Sequence, residues 1–259
     1  MSRPIGLDAE GVCFSHGAVS ILNEVNGSFA PGTVTALIGP NGAGKSTLLR
    51  VLAGELKPSA GCVRMNGQSL DTLSSQELAL KRSVMSQSSR IVFDFLVEEV
   101  LRMGWLGSRQ GLKQGLENVI VACEIEPLLG RTFNTLSGGE QQRIQFARAL
   151  LQIRSDNATH DPNYLLLDEP TSNLDVAHEL AVLRLAREVI SDQVGVVVVL
   201  HDLNLASRFA DQLMLLKNGQ VQALGAPEEV LDSELLSQVY ATPLRVERHN
   251  ELNRLMIYS

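Results

Sequence analysis

Apolar positions along this chain follow two periods. Short apolar runs at 33–38, 164–167, 194–200 and 212–216 are bounded by polar or turn-forming residues. Runs of that length predict buried β-strands. Between and around them, apolar residues recur at helical spacing over 48–53, 73–81, 96–103, 116–123, 140–151, 180–190 and 203–209. The region 7–30 reads as a first β region, with strands over 12–17 and 21–25 around a turn. Pro31-Gly32 makes a turn, 62–65 a short strand closed by Asn66-Gly67, and 83–87 another short strand ending on Gln87. From 88 to 151 no strand pattern interrupts the helices, which predicts a helical subdomain inserted into an α/β core. It rejoins the core through a polar loop, 154–163, and from Pro227 onward the tail reads as helical and extended.

Strands alternating with helices imply a mainly parallel sheet covered on both faces, preceded by an antiparallel N-terminal β region. We expect one domain over 1–259, with core segments 1–87 and 156–259 and a helical subdomain over 88–155. Ligands of such sheets sit beyond the carboxyl ends of the strands. Four chemistry-bearing segments fall at those ends. The first is Gly39-Pro40-Asn41-Gly42-Ala43-Gly44-Lys45-Ser46-Thr47, between a strand and a helix. That context is the one a phosphate-binding loop requires. Its glycines leave backbone N–H groups free to curl around an anion, and the following helix aims its positive end at the same place. Lys45 has the reach for β- and γ-phosphates, and the Ser46 hydroxyl suits Mg²⁺. A bound nucleoside triphosphate is the expectation, and the arrangement resembles the P-loop NTPases with a RecA-like parallel core.

The second and third are Asp168-Glu169, closing an apolar strand, and His201, closing another. Two carboxylates after four large apolar residues are costly unless they have partners or work to do. Asp168 suits Mg²⁺ beside Ser46, and Glu169, one residue on, suits polarising a water towards a γ-phosphate. His201 suits contact with that phosphate. The fourth is Gln87, whose amide oxygen suits the metal or the water. A surface Asp-Glu pair and a structural histidine are the ordinary alternatives; the phosphate loop at the same sheet edge argues against them. A second glycine-bearing helix start, Leu136-Ser137-Gly138-Gly139-Glu140-Gln141-Gln142-Arg143, offers a further anion site capped by Ser137. One helix start already serves the phosphate loop, so this one suits a nucleotide held by another copy of the chain.

Composition narrows the class. The chain has 259 residues, 44% hydrophobic and 20% charged, which is ordinary globular usage. A net charge of −7 argues against broad nucleic-acid binding, and no nucleic-acid partner is expected. No apolar run approaches the roughly 18 residues of a spanning helix, and the N-terminus shows no secretory pattern. Cys13, Cys62 and Cys123 lack metal spacing and read as reduced thiols.

Taken together, these segments resemble the ATP-binding subunits of ABC transporters. Residues 39–47 resemble their Walker A loop, Gln87 their Q-loop glutamine, and 136–141 their signature. Residues 164–169 resemble Walker B with the catalytic glutamate, Ser172-Asn173-Leu174-Asp175 the D-loop, and His201 the switch histidine. The resemblance implies a head-to-tail homodimer holding two ATPs. Each ATP meets Lys45, Ser46, Gln87, Asp168, Glu169 and His201 of one chain, and Ser137, Gly138 and Gly139 of the other. Mg²⁺ is held by Ser46, Gln87 and Asp168. It also implies a dimeric integral-membrane permease, met by residues 88–101, and an indirect periplasmic binding protein. The expected location is the cytoplasmic face of a bacterial inner membrane, as a peripheral subunit. Two positions depart from the family pattern: His16, with Phe14 nearby, stands where an aromatic stacks on adenine, and Glu140 stands at a signature position where glutamine is commoner. His201 to Ala206, followed by Phe209-Ala210-Asp211, resembles importers of iron chelates, haem and cobalamin, and the insertion 154–163 resembles haem importers in particular. Haem import is the expectation, with ferric siderophore or cobalamin import as alternatives. An exporter, or a non-transport ATPase acting on DNA or the ribosome, is more remote. Under 100 residues separate Walker A from the signature, with no sustained heptads, and the chain has one ATPase half.

Overall fold

A computed structural model describes residues 6–86, 91–154, 161–251 and 254–259. The chain opens with two long strands, β1 (Leu7–His16) and β2 (Val19–Phe29), then β3 (Val34–Ile38), helix α1 (Lys45–Leu52), β4 (Ala60–Met65) and β5 (Gln68–Ser69). Helix α2 (Ser75–Lys81) leads into β6 (Arg82–Met85). A helical stretch follows, α3 (Val97–Arg102), α4 (Arg109–Ala122) and α5 (Gly138–Ile153). The core resumes with β7 (Asn163–Asp168), α6 (Val176–Glu188), β8 (Val194–Val199), α7 (Leu203–Phe209), β9 (Gln212–Lys217) and β10 (Gln220–Gly225). Helices α8 (Pro227–Val230) and α9 (Ser233–Tyr240) and a hairpin of β11 (Arg245–His249) and β12 (Arg254–Tyr258) end it.

The central sheet runs β10-β9-β3-β8-β7-β6. All its neighbours are parallel except β9 and β10, which form an antiparallel pair. A second, antiparallel sheet runs β2-β1-β4-β5. Side chains alternate across the central sheet with period two. Tyr164, Leu166, Val197 and Val199 face a core shared with α1 and the antiparallel sheet. Leu165, Leu167, Val196 and Val198 face the opposite core, which continues into the helical stretch through Phe146, Leu150 and Val100. Both faces are therefore dry, which is why these strands are continuous apolar runs.

The expected elements are present, with shifted ends. The first β region spans the stretch expected, but its two strands are longer than read, because β1 and β2 pair from Leu7–Phe29 to His16–Val19 with register shifts that disrupt a clean alternation. Strand β10 was not expected; Asn218 and Gly219, at φ 50° and 76°, turn the chain straight back onto β9. Helix α4 begins well before its apolar part, at Ser108, whose hydroxyl caps it. Gly111 and Gly115 weaken its pattern, and both lie under the indole of Trp105, where a Cβ would be 3.0 and 2.7 Å from ring carbons. The expanded insertion 154–163 lies largely outside the described residues, as do Gln87 and the segment that follows it to residue 90.

Candidate functional site

The loop between β3 and α1 forms a cleft of about 340 Å³, lined by Ile21, Asn41, Gly42, Ala43, Gly44, Lys45, Ser46, Thr47, Glu169 and His201. Its shape depends on glycine at two positions. Gly39 has φ 139°, and a Cβ there would collide with the Leu216 carbonyl. Gly44 has φ 100° as the residue before α1. Helix α1 starts at Lys45 itself, so the free N–H groups of its first turn point into the cleft.

Lys45 is nearly buried, at 5% exposure. Its ammonium donates to the carbonyls of Gly39, at 2.8 Å, and Pro40, at 3.0 Å. Burial pushes its pKa below the ordinary lysine range, while Glu169 and Asp168 pull the other way. Ser46 donates its hydroxyl to Asp168 Oδ1 at 2.8 Å. Asp168 ends β7 at 4% exposure, and burial pushes its carboxyl above the usual range despite that bond. Beside it, Glu169 Oε1 lies 2.6 Å from His201 Nε2. Glu169 has φ 50°, a left-handed backbone that side-chain-bearing residues rarely adopt. Three separate strand ends, β3, β7 and β8, thus deliver Lys45-Ser46, Asp168-Glu169 and His201 to one place. The cleft has a cation, hydroxyl and carboxylate oxygens, an imidazole and a helix start, which suits a polyphosphate with a divalent metal.

His16 sits exposed at the end of β1, paired with Val19, and is outside the cleft lining; Ile21 of β2 occupies that edge. Gln87 lies outside the described residues. Ser137, Gly138, Gly139 and Asp175 come together elsewhere. They line an open groove of about 910 Å³ with Glu140, Arg143, Asn173, Leu174 and His178. Ser137 caps α5 reciprocally: its hydroxyl accepts from Glu140 N at 3.3 Å, and Glu140 Oε2 accepts from Ser137 N at 2.7 Å. Glutamate at that position therefore serves the cap as glutamine would. Asp175 caps α6, accepting from His178 N at 2.9 Å, and the two side chains pair at 2.9 Å. The groove and the cleft share no lining residue. Gln142, which the sequence places in the stretch 136–143 without a role of its own, donates to the Glu169 carbonyl at 2.8 Å and to Ser172 Oγ at 3.0 Å. Its only sequence cue is its place three residues after Gly139, one turn along the same helix.

With this geometry in view, comparison with known proteins identifies the family. The ABC transporter family model matches residues 22–172, from β2 to the loop after β7. The chain belongs to the ABC transporter family. The hemin import ATP-binding protein HmuV of Rhizobium meliloti (strain 1021) is 45% identical over 229 residues, 87% of each chain. Proteins of the same name from Hydrogenovibrio crunogenus and Rhodopseudomonas palustris (strain BisB5) are 44% and 43% identical, and the matches cover 94% and 93% of this chain and 96% and 93% of theirs. Among solved structures, an ATP-binding subunit of an ABC transporter superposes with a TM-score of 0.76 at 23% identity, covering 92% of this chain and 94% of that one. CbiO1 from Clostridium perfringens, part of the ABC transporter complex CbiONQ, superposes with a TM-score of 0.71 at 24% identity, covering 90% and 92%. These two likenesses show the fold. As an ABC family member the chain is a transporter subunit that binds and hydrolyses ATP. Among the described residues no helix is long and apolar enough to cross a membrane.

Proposed function

We propose that this chain is the ATPase of a bacterial haem importer, converting ATP-driven closure of a homodimer into uptake across the inner membrane. The observation that carries the cargo is chain-long identity of 43–45% to hemin import ATP-binding proteins from three genera. The cleft supports the chemistry. Residues 39–47 wrap the phosphates, and Lys45 exchanges its two loop carbonyls for β- and γ-oxygens. The donor set fits Mg²⁺: a hydroxyl and a carboxylate oxygen 2.8 Å apart, the carboxylate desolvated and in want of a counter-charge. Ser46, Asp168 and Gln87 would hold that ion, which when bound neutralises charge developing on the phosphates. Glu169 takes the proton of the attacking water, and His201, bonded to it, steers the carboxylate and meets the γ-phosphate.

Ser137, Gly138 and Gly139 act on the ATP of the other protomer, and Asp175 lies at the same seam. Their separate groove supports that reading, since a helix start open to solvent there has no phosphate loop of its own chain beside it. His16, at the exposed end of β1, stacks on the adenine. The chain is one ABC ATPase domain with core 1–87 and 156–259 and helical subdomain 88–155; one apolar core running from the sheet into α3 and α5 supports a single unit. Exposed Val92 and Phe93, 83% and 72% accessible, support a permease contact in the stretch 88–101. The permease dimer and periplasmic binding protein read the cargo, and the ATPase stays peripheral on the cytoplasmic face. Nucleic acid has no part.

The test is growth of a strain lacking this chain on haem as sole iron source, beside a ferric siderophore, with cobalamin uptake in parallel. Loss on haem alone, restored by wild type but not by Glu169→Gln, is expected. Normal growth on haem with loss of siderophore or cobalamin uptake would overturn the cargo and keep the ATPase. In vitro, Glu169→Gln should bind ATP, accumulate as a dimer and lose at least about 100-fold in turnover, the scale of a removed general base.

A further inference from the structure

We infer that Gln142 is a positioning residue for ATP hydrolysis, its side-chain amide tying the helix that starts at the signature to the backbone of Glu169 in the same chain. This deepens, and rests on, the reading of Glu169 as the base.

The argument begins with strain. Glu169 holds φ 50°, and a residue with a Cβ keeps that conformation only when its surroundings impose it. Its side chain is engaged by His201 at 2.6 Å. Its carbonyl accepts two hydrogen bonds, from the Ser172 N–H at 3.2 Å and from Gln142 Nε2 at 2.8 Å. The first is local to the turn, which it closes. The second is the stronger by length and comes from α5, across 27 positions of sequence. Gln142 is not a loose surface amide. Its Nε2 also reaches Ser172 Oγ at 3.0 Å, and the Ser172 hydroxyl returns to Gln142 Oε1 at 3.4 Å, so both ends of the amide are fixed.

The same turn of α5 touches the same loop a second time. A Cβ on Gly139 would lie 2.9 Å from the Asn173 carbonyl, so the start of the helix and the 169–175 loop are in close backbone contact. Further along, α5 is anchored to the sheet: Ser83 Oγ donates to the Ala149 carbonyl at 2.8 Å and Arg148 to the Val84 carbonyl at 3.2 Å. The helix is thus a rigid bar. Its far end is pinned to β6, and its near end leaves Ser137 and Gly138 exposed while Gln142 reaches inward to Glu169. A shift of the first turn is delivered to the Glu169 carbonyl through one short bond. Because Glu169 sits in a strained conformation, rotating its peptide re-aims the carboxylate.

The test uses the full-length protein with Gln142→Met, which keeps length and loses the donor, and Gln142→Lys, which restores a donor of similar reach. Misplacing a reacting group by about 1 Å costs roughly 100-fold, so Gln142→Met should lower kcat about 10- to 100-fold. Its KM for ATP should stay within about threefold of wild type, and its ATP-bound dimer should form normally and persist longer, as in Glu169→Gln, since binding and closure do not use the base. Gln142→Lys should recover kcat to within about fivefold. Wild-type kcat in Gln142→Met would overturn the assignment. So would parallel loss of KM, dimerisation and kcat, or equal loss in the methionine and lysine variants, each of which marks a packing role in α5. The two readings fail separately. Wild-type turnover in Glu169→Gln removes the base, and with it the role of Gln142. An inert Glu169→Gln beside a normal Gln142→Met removes the positioning role alone.

Discussion

Asp168 shows what the site costs the fold. It is 4% exposed, and the hydrogen bond described for its carboxylate comes from a neutral hydroxyl. Burial holds its folded pKa above the unfolded value of 3.8. A carboxyl raised in this way binds its proton more tightly folded than unfolded, so stability falls as pH rises from the unfolded pKa through the folded one. Above the folded pKa the full penalty is present. Asp168→Asn keeps an oxygen for Ser46 and removes the buried charge. In metal- and nucleotide-free protein it should raise Tm by about 2–4 °C, the shift that ~1 kcal/mol produces in a chain of roughly this size. The advantage should shrink as pH is lowered towards 3.8, and hydrolysis should be lost. Calorimetry across that range checks it; a Tm below wild type would mean that attraction to Lys45 outweighs desolvation. Such single residues were legible in the sequence, because Lys45, Ser46, Asp168, Glu169 and His201 are reactive types standing where apolar runs stop. Gln142 was not, because its partner is a backbone carbonyl, and an amide-to-carbonyl bond leaves no pair of side chains to recognise.

Elements were legible to the degree that burial dictates their composition. Strands β3, β7 and β8 are dry on both faces and read as apolar runs. Strand β10 alternates exposed and half-buried positions and β11 is largely exposed, so neither carries such a run; β12 does, from Leu255 to Tyr258, and is mostly half-buried. Ile257, Leu255 and Val246 of the hairpin pack on the core, and long-range polar bonds add to that hold. Asn204, at the start of α7, donates to the Ile257 carbonyl at 3.0 Å and accepts from the Ile257 N–H at 2.8 Å, while Ser207 donates to Leu255 O at 3.2 Å. One asparagine replaces a strand partner on β12. Asn204→Leu leaves both backbone groups of Ile257 without that partner and should cost about 1–3 kcal/mol. Limited proteolysis should then cut within the hairpin well before the core. An unchanged digestion pattern and Tm would show that apolar contacts of β12 on α7 suffice. The expectation has functional weight, because α7 begins directly after His201 and its cap, Asp202, accepts from the N–H groups of Asn204 and Leu205.

The whole molecule has its functional groups on two surfaces that do not meet within one chain. The phosphate cleft holds Lys45, and the groove at the start of α5 holds Ser137. If a nucleotide uses both, they come from different copies, arranged so that each copy gives its cleft to one site and its groove to the other. A mixing experiment decides this. Lys45→Ala breaks the cleft and Ser137→Arg blocks the groove, so dimers of either variant alone have both sites broken. In a mixed dimer, sites shared between chains leave one site with wild-type Lys45 and wild-type Ser137, and concentrate both lesions in the other. With random pairing of equal amounts, half the dimers are mixed and each has one intact site, so about a quarter of the wild-type sites return. Retention of labelled ATP and its hydrolysis should both rise on mixing, from near zero in each separate variant. Retention without hydrolysis would mean that one intact site closes but needs the second to turn over. Recovery of neither would put Ser137 in the service of its own chain's cleft.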